Sequence, residues 1–222
     1  MSHEITRFDQ VLTVGTPAWH GLGITVQGAP SLPEARKLAG LEWEPELRPA
    51  YYFPSTGPGV PYPGAMVLRS DNGLALGPVS DRYHVFGNGE LFALALAIQE
   101  RTGATVETAG SVGAGRKVFL TLRTPTADLE IAARGAADGS PSDRSLAYVV
   151  LVTGHDGSTA LRAHGTSVRV VCANTVRASA ADIGASIAGL AGTKGLRAIE
   201  HDDPQFERKV EMLSAAIAGQ VE

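Results

Sequence analysis

Cysteine is almost missing from this chain, with one residue, Cys172, among 222. That excludes an intrachain disulfide framework and fits a reducing compartment. Aromatic residues are sparse as well, at 6%, so most of a core must come from the Val, Leu, Ile and Ala within the 44% hydrophobic content. Long apolar runs are absent too. The longest, "LFALALAI" at 91–98, falls far short of the ~20 residues of a membrane-spanning helix. The first residues, "MSHEITRFDQ", carry charges and no apolar stretch, so no signal peptide is visible. Charged residues make up 19%, which beside the hydrophobic share describes a globular chain and not a disordered one. The expectation is a soluble cytoplasmic protein with no membrane partner. Its length suits one large domain, or one domain with a small attachment.

An overall excess of positive charge is missing, the formal net charge being −4. The distribution is uneven. Residues 1–100 carry six basic and ten acidic side chains, 101–180 nine and six, and 181–222 four and seven. Eight of the nine basic residues in the middle third are Arg, whose planar fork matches phosphate. Across the chain 15 Arg stand against 4 Lys, a ratio that a GC-rich coding bias also gives.

What is present predicts an α+β fold: a largely antiparallel meander sheet with helices packed on one face and an N-terminal hairpin-helix unit. Residues 1–48 read as an irregular segment holding one short helix, "SLPEARKLAGL" at 31–41. Ser31 is its N-cap, Pro33 and Glu34 lie in its first turn and Gly40 is its stop. "PAYYFPSTGPGVPYPG" at 49–64 is so dense in proline and glycine that it reads as a surface loop. Residues 65–222 form the main domain. There "AMVLRSD" and "LALGPVS" flank Asn72-Gly73, a hairpin signal, and "YHVF" prolongs the sheet. "NGELFALALAIQERTG" is a helix capped by Asn88 and stopped by Gly103. "TVETAGSV", "RKVFLTLR", "ADLEIAA" and "SLAYVVLVT" are strands, the last apolar on both faces and therefore central. "RGAADGSPSD" at 134–143 is a polar loop. Helices follow at 174–192 and 203–221. In the second, Phe206, Val210, Leu213, Ile217 and Val221 share one face, which predicts docking on a neighbouring subunit for at least part of the stripe, and hence a homo-oligomer.

The densest chemistry lies in "TGHDGSTALRAHGTSVRVVCANT" at 153–175. Strand alternation puts Leu161 and Ala163 on one face and Val168, Val170 and Cys172 on the other, unless one extra residue near Gly165 forms a bulge. With that bulge all five point into the core, and Arg162, His164 and Arg169 point outward. Cys172 then becomes a small buried hydrophobe beside a strand-to-helix junction, with Asn174 or Thr175 capping the helix. In the neighbouring strand Val118, Leu120 and Leu122 take one face, and Lys117, Phe119, Thr121 and Arg123 the other. A face bearing Arg116, Lys117, Phe119, Arg123, Arg162, His164 and Arg169 would suit a single-stranded nucleic acid, with cations on the phosphates and a ring under a base. The alternative is that Phe119 packs under a helix or a subunit and the cations are merely solvated.

Other constellations are weaker. His20, His84, His155 and His164 lack ligand-like spacing, and no metal or cofactor is expected. "GHDGS" reads as a turn. "GSVGAGR" resembles a phosphate loop in part, yet it lacks G-K-[ST] and joins two strands. Trp19 in "PAWHGLG" reads as a plug at a core edge. Glu42, Glu44 and Glu46 alternate as a solvated strand face does.

The ordered blocks "PAWHGLG", "AGLEWE", "VLRSDNGLALGPVSDRYHVFGNGELF", "ETAGSVGAGRKVFLTLR" and "YVVLVTGHDGSTALRAHGTSVRVVCANT" resemble the phage/plasmid-like family of unknown function, domain of unknown function 932. That resemblance covers the chain from about Trp19 onward. It implies a setting in mobile elements of bacteria and brings no catalytic residue with it. A meander followed by a long helix is also similar in topology to the single-strand annealing proteins that phages carry for recombination.

The leading expectation is therefore a non-enzymatic, oligomeric DNA-transaction protein of a phage or plasmid, acting in the host cytoplasm on single-stranded DNA. One alternative is a structural or host-interference protein whose sheet face meets protein. Another is an enzyme using Cys172 with His155 or His164.

Overall fold

The computed structural model describes residues 5–17, 21–125, 148–166 and 198–219. The chain is α+β. Its larger sheet has seven strands, β1 (Val11–Val14), β2 (Ile24–Val26), β6 (Thr105–Val112), β7 (Lys117–Arg123), β8 (Tyr148–Gly154), β9 (Leu161–Thr166) and β10 (Ala198–Ile199). Their order is β10-β9-β8-β7-β6-β1-β2. From β6 to β10 every neighbour is antiparallel, as is β1 on β6, while β2 runs parallel to β1 at the edge. A second sheet, β3-β4-β5, is made of β3 (Pro45–Tyr52), β4 (Val60–Arg69) and β5 (Ala75–Val79). The described helices are α1 (Leu32–Leu38), α2 (Asn88–Thr102) and α3 (Phe206–Gly219).

Local chemistry sets several boundaries as expected. Ser31 and Glu34 cap α1 reciprocally, and Gly40 leaves it at φ 62°. Gly103 ends α2 at φ 67°, its N–H donating to Gln99 O. The Asn72-Gly73 turn joins β4 to β5. The N-cap of α2, however, is Gly87, one residue before the expected Asn88. Asn88 is instead fully buried and bonds across the core.

One apolar core lies between the larger sheet and all three described helices. Val118, Leu120, Leu122, Val149, Leu151, Leu161 and Ala163 face it from the sheet, and Leu32, Leu91, Ala95, Ile98 and Phe206 from the helices. Trp43 and Val67 tie the second sheet into the same core. The opposite sheet face carries a smaller buried cluster of Val11, Val112, Phe119, Val150 and Val152.

Four expectations are corrected. The loop expected over 49–64 is confined to 53–59: β3 and β4 take up its flanks and pair through Tyr51↔Pro61 and Tyr52↔Val60. Their prolines fit because β4 beyond Ala65 has no β5 beside it, and strand edges tolerate a missing N–H. Residues within 1–30 are not all irregular, since β1 and β2 find non-local partners. Gly23, at φ 88°, is required there, as a Cβ would lie 2.1 Å from Val11 O. "YHVF" forms no strand; Tyr83 and Phe86 plug the core instead. Finally, β9 pairs with β8 in unbroken register from Arg162 to Thr166, so the described strand has no bulge at Gly165. Val168, Arg169, Val170, Cys172, Asn174 and Thr175, the loop at 134–143, the strand at 127–133 and the helix at 174–192 lie outside the described residues.

The β6–β7 turn depends on one carboxylate. Asp9 accepts from Ser111 Oγ at 2.7 Å, Ala114 N at 2.7 Å and Gly115 N at 2.8 Å, and from Thr6 N and Oγ1. These bonds hold Ala114 at φ 65°, a conformation that costs a non-glycine residue about 1 kcal/mol or more. Asp9→Ala leaves buried donors without an acceptor, so it should lower stability by about 3 kcal/mol in urea titration. Loss of less than ~0.5 kcal/mol, the usual surface value, would contradict this role.

Candidate functional site

The side chains singled out for nucleic-acid contact divide into two groups. Register places Phe119 opposite Val152, and Val152 opposite Arg162, so Arg162 shares the face of Phe119. Alternation along β7 puts Lys117 and Arg123 there too. Arg116 and Arg123 are exposed, and Lys117 and Arg162 half-buried. Phe119 is a correction, since it is 1% exposed and packs in the smaller cluster. Around it Thr13, Thr108, Thr121 and Val150 are buried as well. The centre of this face is therefore covered, and the cations frame it. Lys117 and Arg123 stand about 20 Å apart at the two ends of β7. His164 lies opposite Val150 in β9, and Arg169 lies outside the described residues.

A second constellation gathers at the pole of the sheet where the 113–116 and 154–159 turns meet the start of α2. Thr153 lies on the core-facing side of β8, paired with Val118, and His155 continues that alternation. The fully buried His155 ring has its Nε2 at 3.0 Å from Asn88 Oδ1. Because Asn88 Nδ2 donates to Trp43 O at 2.8 Å, the amide oxygen must accept from His155. That fixes the Nε2–H tautomer and leaves Nδ1 as a buried acceptor without a hydrogen-bond partner. The Trp43 ring meets His155 edge-on at 5.4 Å, and its own Nε1 is also unpartnered. Over the Trp43 ring lies the Arg69 guanidinium, 4.3 Å from the ring centroid. Arg69 is itself buried, paired with Asp71 at 2.8 Å and donating to Phe8 O and Ala114 O. Gly115, at φ 95°, completes the packing: a Cβ there would come within 2.8 Å of Trp43.

Next to this group Tyr83 donates to Gly154 O at 2.7 Å and stacks on His201. His201 Nδ1–H donates to His84 O, so its Nε2 accepts from Thr153 Oγ1 at 3.3 Å. Phe206 of α3 stacks on both His84 and His201. The stripe of α3 thus docks on its own domain at Phe206, buried, and Val210, half-buried, so these two need no neighbouring subunit. The side chains of Leu213 and Ile217 lie outside the described residues.

Burial keeps His155, His201 and Tyr83 of the pole uncharged. Burial, reinforced by the nearby His201 and Arg69, pushes the His155 pKa down to about 3. Burial lowers that of His201 as well, and raises that of Tyr83. A buried, neutral His155 tied to Asn88 has no open path to a substrate, so the pairing of Cys172 with His155 gains nothing from this geometry. Among the described residues no three His, Cys, Asp or Glu side chains converge as a metal site. Likewise, no described helix is long and apolar enough to cross a membrane.

The expected turn in "GHDGS" is present at Asp156 and Gly157, with Ser158 N donating to Asp156 Oδ1 and Gly157 at φ 75°. The burial of His155 has no local signal, because its partner Asn88 is 67 residues away. Glu44 also escapes a local reading: it is bonded to Arg36 and accepts from Gly89 N at 3.0 Å at the start of α2. A carboxylate there offsets the positive end of the helix dipole.

A histidine with a depressed folded pKa costs nothing above its unfolded value near 6.5. Below that pH the unfolded chain takes the proton and the folded one does not. Stability should fall as pH drops from about 6.5 towards 3, by up to roughly 1.4 kcal/mol per pH unit for His155, with His201 adding in the same sense. Urea midpoints between pH 7 and pH 5 should show the fall, and His155→Gln should flatten it. A wild-type midpoint independent of pH would contradict the assignment. Phe119→Ala should cost about 3–5 kcal/mol of stability, as a buried ring does, with the same cost whether or not an oligonucleotide is present.

A family model described as a domain of unknown function (DUF932) matches residues 75–188. That span runs from β5 through β9 and takes in Asn88, His155 and every cation proposed for the sheet face. No curated protein and no solved structure matches the chain. Residues 75–188 are just over half of the 222, and the chain belongs to the DUF932 family.

Proposed function

We propose that this is a non-enzymatic DNA-transaction protein of a phage or plasmid that binds single strands through their phosphates. One observation carries the reading. Arg36, Arg48, Arg69 and Lys209 each pair with a carboxylate. Among the described residues, the side chains of Arg116, Lys117, Arg123 and Arg162 make no ion pair or hydrogen bond. Lys117, Arg123 and Arg162 lie on the sheet face that carries none of the described helices, and Arg116 lies in the turn that precedes β7. In a chain of net charge −4, such cations gathered around one face are suited to an anionic partner. With Phe119 buried, stacking on that ring plays no part, and binding is electrostatic and indifferent to base sequence. The pole supports a scaffold role over catalysis, since His155 is tied to Asn88, and Tyr83 and His201 to backbone carbonyls, inside the core.

A fluorescent single-stranded oligonucleotide should bind at low salt and dissociate as salt rises. Replacing Arg116, Lys117, Arg123 or Arg162 by Ala should weaken binding alike for all sequences. Each replacement should also reduce the salt slope by roughly one for every phosphate it leaves without a cation. Arg48→Ala, at a cation already paired with Glu46, should change little. Absence of binding at low salt would end this reading.

A further inference from the structure

The strongest feature outside the sites above is the far end of the second sheet. Past Ala65, β4 pairs with β3 alone, and the two strands run on as a two-stranded ribbon closed by a turn at 53–59. No residue from 46 to 66 is buried. Four aromatic residues stand in the open there, Tyr51 at 59% exposure, Tyr52 at 52%, Phe53 at 78% and Tyr62 at 38%. Tyr52 pairs with Val60, while Tyr51, adjacent in the strand, pairs with Pro61 and points the other way. The ribbon is therefore apolar on both faces. A lone two-stranded hairpin is marginally stable in water, and four exposed rings on one hairpin are a patch that calls for a cover.

We infer that this ribbon is a self-association arm whose occupant is a second copy of this chain. The first argument is charge. Residues 49–64 contain no Asp, Glu, Lys, Arg or His. Two copies can bring this segment together without opposing like charges, although each carries −4 overall. The same neutrality disfavours a nucleic acid, whose affinity comes from phosphate contacts that this segment cannot make. The second argument is area. At 150–250 Å² per aromatic side chain, the exposed fractions of the rings with those of Leu47 and Val60 come to roughly 500–600 Å² per copy. A two-fold contact in which the ribbons clasp each other and both faces are covered doubles this to about 1,100 Å², above the ~1,000 Å² that a specific interface needs. The third argument concerns the edges. Pro49 lies in β3, and Pro61 and Pro63 lie in the part of β4 beyond β5. Their missing N–H groups discourage strand-to-strand addition, so the contact is made by side chains and closes instead of growing into fibres. The arm is independent of the proposed DNA binding, because none of its residues belongs to the cationic face.

Sedimentation of the full chain at micromolar concentration reads the arm directly. The wild type should be a dimer or larger, and a Tyr51→Ser/Tyr52→Ser/Phe53→Ser variant should be a monomer with an unchanged melting temperature when diluted. A monomeric wild type, or a triple variant that still assembles, would overturn the inference. So would a variant that keeps its mass and loses oligonucleotide binding, which would make the ribbon a stacking platform for bases. If the triple variant fails to fold, Phe53→Ser alone and amide exchange in the wild type decide the matter. Exchange across 50–62 should slow as concentration rises through the range where mass increases. Exchange that ignores assembly would overturn the arm.

Discussion

The hydrogen bonds around Asp9 and Arg69 are the constraint on which the pole of this molecule depends. Asp9 gathers the N-terminal segment and the β6–β7 turn with bonds to Ser111, Ala114 and Gly115. Arg69 adds the start of the β4–β5 hairpin, bonding Phe8 O and Ala114 O and lying over Trp43. Trp43 O then receives Asn88, and Asn88 receives His155. Separate stretches of chain thus meet through buried polar groups, each satisfied mainly by a residue far away in sequence. A buried cation is expensive unless paired and bonded, and here Asp71, two carbonyls and an aromatic face share the task. With the pole fixed, the sheet presents one face to the helices and keeps the cations of β7 and β9 around the other.

Consistent with this, what the sequence made legible was local. Ser31 with Glu34 marked the start of α1 and Gly103 the end of α2, because caps are satisfied within a few residues. Asn72-Gly73 marked a hairpin, and alternation in "RKVFLTLR" sorted the faces of β7 correctly. Polar and apolar alternation, however, says which residues share a face and not what covers it. Phe119 was placed on the right side of the sheet, and its burial depends on packing that no short pattern encodes.

The failures share a cause. Residues 49–64 read as a loop because proline is excluded from central strands, and the ribbon escapes that rule by being all edge beyond Ala65. The turn at His155 is read correctly, but its burial is not, because its partner Asn88 lies in another element altogether. Asn88 itself read as a helix cap, the usual use of asparagine in that position, and was instead one step inside the helix and turned into the core. In each case a non-local partner overrode a sound local preference.

Stability and contact are thus assigned to different parts of the chain. The buried polar pole holds the fold, the cations that frame the covered sheet face suit an anion, and the uncharged ribbon suits another copy. The central claim, that this protein acts by binding and not by catalysis, is tested most directly by its mass in solution. Light scattering of the full chain at low salt, alone and with an equimolar unlabelled single strand of defined length, should show a species heavier by the strand that returns to its original mass in high salt. The same mass with and without the strand would contradict the account.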